Sequence, residues 1–324
     1  MGQIYSWCMR LDWLGCATFR FVLGELVVYL DAYIDRVASA PKTGVTIAHV
    51  DRADWIVVGH SHFDHLWGAE RVARKTGATI VGSYESIRVM ADLGVPTEQL
   101  MPVSGGERVQ LSADVTVGVY PSIHSCIWTH TGFAQSDEVC SGDLGVIHQE
   151  RLARLGERRD SRTALSDEVR DHLRAGQQGA RGDGGALVYR FETPEGSLLY
   201  QDTCGHWTGV LRTLQSDVAI LAAAGRGNVD GEPVQGSLAE FVAREVELLR
   251  PRRLILGHHD DWLPGVSVDT DTTPSRTAVG EVSRETELVE MPYCAGSSMA
   301  CDSASPTIRT FASPGSPCGG LFSR

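Results

Sequence analysis

The run Asp54-Trp55-Ile56-Val57-Val58-Gly59-His60-Ser61-His62-Phe63-Asp64-His65 places three histidines and a carboxylate between positions 60 and 65, directly after an apolar stretch that reads as a buried strand. Imidazoles and a carboxylate are the donor set of a transition-metal site. With the backbone still extended at His60 and His62, their two-residue spacing sends both rings to one side, where they can share an ion. Asp64 and His65 follow as the chain turns into a helix suggested by residues 66–75, aimed at a second ion beside the first. The competing reading, a polar turn after a strand, crowds three imidazoles together with nothing to compensate them.

The elements around this run carry further donors. Residues 11–14, 17–23 and 26–30 read as the strands of a meander with Gly24 in a turn. Asp31 ends the third strand, either as a turn cap or as a carboxylate reaching the ends of neighbouring strands. Residues 32–50, with Pro41 and Gly44, read as a rim loop. Helices over 68–76 and 83–93 flank a short strand at 78–81, and this alternation indicates α/β layers. Strands at 108–111 and 115–120 deliver His124. Strands at 186–192 and 197–200 deliver Asp202 and, four residues on, His206. A strand at 218–222 and an amphipathic helix at 238–249 precede a strand at 253–256 that ends in Gly257-His258-His259. Ligand-type side chains thus recur at the ends of separate strands. From about Ser267 clear periodicity is lost, apart from a last strand at 287–291.

A chain of 324 residues with 42% hydrophobic and 22% charged residues buries a large core. A net charge of -12 argues against nucleic-acid or anionic-membrane partners, which need clustered Lys and Arg. Residues 1–10 contain no uninterrupted apolar stretch, and no later segment approaches a membrane span, so a cytoplasmic protein is expected. The cysteines (Cys8, Cys16, Cys126, Cys140, Cys204, Cys294, Cys301 and Cys318) form no CxxC pair and read as reduced thiols. Residues 125–185 differ in composition: Trp128, His130 and Phe133 come first, then a charged stretch in which Leu165, Val169 and Leu173 fall on one helical face, then a glycine-rich run. This reads as a helical lid inserted into a domain spanning 1–294, with a surface insertion or a homo-oligomer contact as the alternative. The Ser-, Gly- and Pro-rich tail, 295–324, reads as mobile.

The order of these features resembles the metallo-β-lactamase superfamily of metallohydrolases, and within it the cytoplasmic lineage that includes ascorbate-6-phosphate lactonase and N-acylphosphatidylethanolamine phospholipase D. Trp13-Leu14-Gly15-Cys16-Ala17-Thr18-Phe19 is similar to the family's first hairpin, in which a histidine often stands where Cys16 does. Asp31 matches a carboxylate that supports the ligands, His60 to His65 match the HxHxDH signature, and His124, Asp202 and His258 match the later ligand positions. The resemblance implies a four-layer αββα metallo-β-lactamase sandwich. It also implies two divalent ions, one on His60, His62 and His124 and one on Asp64, His65 and His258, with Asp202 as the bridge. Zinc is the default, and manganese or iron fits the same ligands. His259 then lines the pocket or is simply packed.

Such a site implies a hydrolase in which a metal-bridging hydroxide attacks a small organic substrate, a lactone, ester or amide in the first place. Asp64 or Asp202 would orient the hydroxide and take its proton, and His206 or His259 would protonate the leaving group. Arg226 and Asn228 read either as binders of a substrate carboxylate or phosphate or as a solvated turn. Other readings are a phosphodiesterase on the same site, a di-iron oxidoreductase that activates dioxygen, and a non-catalytic metal-binding protein.

Overall fold

Phe19, Phe21 and Leu23 alternate along one strand, so the two-residue period of extended chain sends all three to the same face. The computed structural model describes residues 9–126, 165–177 and 185–294, with positions 147, 149, 150 and 153, and shows that face meeting a second sheet. The first sheet runs β1 (Met9–Trp13), β2 (Phe19–Leu23), β3 (Leu26–Leu30), β4 (Trp55–Val57), β5 (Thr79–Ser83) and β6 (Leu100–Val103) in sequence order. It is antiparallel up to β3 and parallel thereafter. The second contains β7 (Arg108–Gln110), β8 (Thr116–Pro121), β9 (Leu187–Thr193), β10 (Gly196–Gln201), β12 (Val218–Ala222), β15 (Arg253–Gly257) and β16 (Glu287–Val289), in the order β16-β15-β12-β10-β9-β8-β7. A small third sheet joins β11 (Gly205–His206), β13 (Asn228–Val229) and β14 (Glu232–Pro233).

Phe19, Phe21, Val28, Val117, Phe191, Leu198 and Ile220 fill the space between the two large sheets. On the outer face of the first sheet, Val72 and Met90 from the helices Ala69–Thr76 and Tyr84–Asp92 pack on Ile56 and Ile80. On the outer face of the second, Val242, Val246 and Val279 from the helices Leu238–Leu249 and Thr273–Val282 cover Leu199, Leu221 and Leu254. The architecture is therefore the expected αββα sandwich.

Three elements differ from the sequence expectation. The helix expected over 66–75 is broken into Phe63–Leu66 and Ala69–Thr76 at Gly68, whose φ of 130° suits only glycine; a Cβ there would lie 2.3 Å from the Ala32 carbonyl oxygen. Strand β6 contains Pro102, a residue sheets tolerate at an edge, which is where β6 lies. The helix Thr273–Val282 buries only Ser275 and Val279, too few to mark a helical stripe in the sequence. Within 125–185, the helix Asp167–Gly176 seats Val169, with Leu165 and Leu173, against Tyr33, Phe63, Trp67 and Trp262. Trp128, His130, Phe133 and the tail lie outside the described residues.

The helix Leu238–Leu249 starts with a capping box, Ser237 accepting from the Glu240 N–H and Glu240 from the Ser237 N–H. Ser237→Ala should lower unfolding free energy by about 1 kcal/mol, measured by chemical denaturation, and Ser237→Asp should restore most of it.

Candidate metal centre

The strands end on one edge, and backbone hydrogen bonds hold those ends together. The Asp31 N–H donates to the Val57 carbonyl at 2.8 Å, the Leu187 N–H to that of Gly59 at 2.9 Å, and the His258 N–H to that of Cys16 at 2.8 Å. All seven expected ligands, His60, His62, Asp64, His65, His124, Asp202 and His258, converge there.

The rings of His60, His62 and His124 stand 4.6 Å apart in every pairing and are tilted 71–75° to one another, so they surround a single point. His60 Nε2 and His62 Nδ1 are 3.0 Å apart. His124 Nδ1 donates to the Ser125 carbonyl at 2.8 Å, which leaves its Nε2 as the lone-pair atom. A second triangle joins His65 Nε2, Asp64 Oδ2 and His258 Nε2, with sides of 3.6, 3.3 and 3.2 Å. Bonds of 2.0–2.2 Å to a tetrahedral ion would put donors about 3.3 to 3.6 Å apart, so this triangle has the size of a metal site. The donor set and its spacing fit a divalent cation.

Carboxylates behind the rings fix which nitrogens face inward. His60 Nδ1 contacts Asp202 Oδ2 at 2.6 Å, and His65 Nδ1 contacts Asp31 Oδ2 at 2.6 Å and Asp202 Oδ2 at 3.1 Å. Asp31 also accepts from the Gly59 N–H at 2.9 Å and the Tyr200 hydroxyl at 2.6 Å. Asp202 therefore lies between the two triangles, touching one ring of each, and its Oδ1 is buried without a hydrogen-bond partner among the described residues. Gly59 makes room for it: a Cβ there would lie 1.9 Å from Asp202 Oδ2.

Charge in this cluster is set by competition between burial and neighbours. Burial pushes Asp31 up to about 6 against the pull of His65. Burial and the adjacent His65 bring His60 down to about 4. For His65 burial opposes the cation, but Asp31, Asp64 and Asp202 outweigh it and raise its pKa. Burial likewise works against His258, and Cys16 and Asp64 overcome it, raising His258 to about 10. Asp64 and Asp202, although buried, are held well below the usual carboxylate range by the surrounding imidazoles. The carboxylates thus demand positive charge at the point where the donors meet, and a divalent ion supplies it while displacing protons.

The remaining candidates lie elsewhere. His206 is 1% exposed, with Nδ1 at 3.3 Å from Glu245 and its ring against Phe241. His259 stacks on Trp13 at 4.7 Å. Arg226 donates to the Val234 carbonyl at 3.0 Å, and Asn228 donates to the His124 carbonyl at 2.9 Å. Asn228 thus holds the backbone of an expected ligand, a contact its turn-like context concealed. Sequence reasoning also missed Tyr200, which looked like any core tyrosine, and the crowded space at Gly59, whose one signal was a glycine between strand and histidine.

The αββα sandwich with its donors at one edge is the metallo-β-lactamase fold. A family model described as a beta-lactamase superfamily domain matches residues 27–159. Over 119 residues, 36% of this chain, the sequence is 33% identical to a UPF0173 metal-dependent hydrolase of Pyrobaculum islandicum. The match covers 51% of that protein, so the chain spans about half the length of the curated relatives it matches. Among solved structures, Igni18, a metallo hydrolase from Ignicoccus hospitalis, superposes with a TM-score of 0.56 at 15% identity, over 88% of this chain and 95% of that one. CmlA, a diiron beta-hydroxylase from Streptomyces venezuelae, gives 0.52 at 13% identity, over 87% and 53%. These structural likenesses concern the fold.

Asp31→Asn keeps the shape of the side chain but removes the charge that orients His65. Metal affinity should fall about 10- to 100-fold, measured by competition with a chelator, while the circular dichroism spectrum stays unchanged.

Proposed function

We propose that this chain is a metal-dependent hydrolase that holds two divalent ions, one in each donor triangle, and cleaves a small organic substrate at a carbonyl centre. One observation carries the reading: two separate sets of electron-rich atoms converge at metal-like spacing, with the buried Asp202 between them. A single structural ion would need only one closed set of four ligands. The relatives named as metal-dependent hydrolases support the same reading.

When bound, the ions supply Lewis acidity and a nucleophile available at neutral pH. The chain supplies the rest. Asp202, which touches a ring of each triangle and is held ionised by His60 and His65, is our candidate to accept a proton, and Asp64 is held ionised by His65 and His258. Trp262 packs edge-on against His258 at 5.6 Å and Phe63 lies beside it, so one wall suits an apolar substrate group. The helix Asp167–Gly176 covers that aromatic cluster and is our candidate for the lid. His206 belongs to a buried network in which Glu245 also accepts from Gln201 at 2.6 Å; we assign it to holding the end of β10, and so the position of Asp202.

A lactone, ester or amide fits better than a phosphodiester because the chain is acidic overall, at -12. The first hairpin, the HxHxDH run and the strand-end donors support our reading of it as similar to the lineage of the lactonase and phospholipase D enzymes. Among the described residues Cys16, Cys126, Cys204 and Cys294 form no disulfide, which suits a reducing cytoplasm.

Protein purified without added metal should contain two equivalents of a divalent metal and hydrolyse members of a lactone and ester panel faster than bis-phosphodiesters. Asp202→Ala should lose both ions together. Full metal occupancy in that variant would contradict the bridge, two irons with a visible absorption band would favour the oxidoreductase reading, and faster phosphodiester cleavage would reverse the substrate assignment.

A further inference from the structure

Cys16 occupies the turn between β1 and β2, fully buried and in a left-handed conformation with φ 50°, which residues other than glycine seldom adopt. The turn is held from several sides. The Cys16 N–H donates to Asp260 Oδ1 at 2.9 Å, and its carbonyl accepts from the Trp13 indole at 2.9 Å and the His258 N–H at 2.8 Å. Asp260 is itself fixed by Arg36 at 2.8 Å and the Tyr293 hydroxyl at 2.8 Å. The result is a thiol aimed at the site: Sγ lies 3.4 Å from the Asp64 carbonyl oxygen and within 4.8 Å of the donor atoms of Asp64 and His258. Of the described cysteines, Cys16 alone lies in a donor cluster.

We propose that Cys16 is a thiolate ligand of the second metal position, which it shares with Asp64, His65 and His258. The inference rests on the metal-centre reading above. Binding would convert the thiol to a thiolate, the S–H proton leaving to solvent as the sulfur–metal bond forms. Cys16 would then bring the second position to four donors of its own beside the shared Asp202, while His60, His62 and His124 leave the first with a place for substrate or water. A soft thiolate also discriminates: the second position should prefer zinc to manganese or magnesium.

Cobalt(II), which takes zinc's ligands, reports the sulfur directly. The cobalt-loaded protein should show visible ligand-field bands together with a near-ultraviolet thiolate-to-cobalt charge-transfer band. Cys16→Ser should keep the former, lose the latter, and bind zinc at the second position at least about tenfold more weakly. Ligand-field bands without the charge-transfer band, or a charge-transfer band that survives in Cys16→Ser, would overturn the proposal and leave the metal centre standing. Absence of ligand-field bands in the wild-type protein would overturn the metal centre and this proposal with it. If Cys16→Ser does not fold, X-ray absorption of the zinc-loaded wild-type protein decides: a sulfur neighbour at about 2.3 Å supports the ligand, and a shell of only nitrogen and oxygen refutes it.

Discussion

The structure depends on the contact between the buried Asp31 carboxylate and His65. Asp31 is 0% exposed at the end of β3, in a left-handed conformation, and it ties the Gly59 N–H, the His65 ring and the Tyr200 hydroxyl to one point. A carboxylate so buried tolerates charge only where neighbours answer it. His65 answers it, and is thereby fixed with Nε2 toward Asp64 and His258. Asp202 does the same for His60, so each donor triangle has at least one ring oriented from behind by a carboxylate.

The sandwich makes this arrangement affordable in space. β3 and β4 come from one sheet and β8, β10 and β15 from the other, and all bring their ends to the same edge. Where the two sheets meet, side chains must be removed as well as added: Gly59 leaves room for Asp202, and Gly257 leaves room for the ring of Phe19, 2.9 Å from where its Cβ would be.

Much of this was legible in the sequence because metal ligands are polar residues at strand ends, where a plain core would place none. The HxHxDH run, His124, Asp202 and His258 stood out against their apolar strands, and the strands and the helix Leu238–Leu249 followed from periodicity. What stayed hidden depends on contacts across long sequence distances. Tyr200 reads as core until its hydroxyl is seen on Asp31, 169 residues away. Asn228 reads as a substrate binder or a turn until its amide meets the His124 carbonyl, and the Glu245 and Phe241 neighbours of His206 lie 39 and 35 residues along the chain, out of reach of local pattern. Cys16 reads as a departure from a familiar motif, and only its contact with the Asp64 carbonyl, 48 residues away, shows where its sulfur points.

The central claim is that the paired donor triangles form one dinuclear centre. Crystals of protein purified without added metal, measured on both sides of the metal's absorption edge, test it most directly. The account predicts two anomalous peaks about 3.5 to 4 Å apart, one within reach of His60, His62 and His124 and the other of Asp64, His65 and His258. A single peak, or none among these residues, would contradict it.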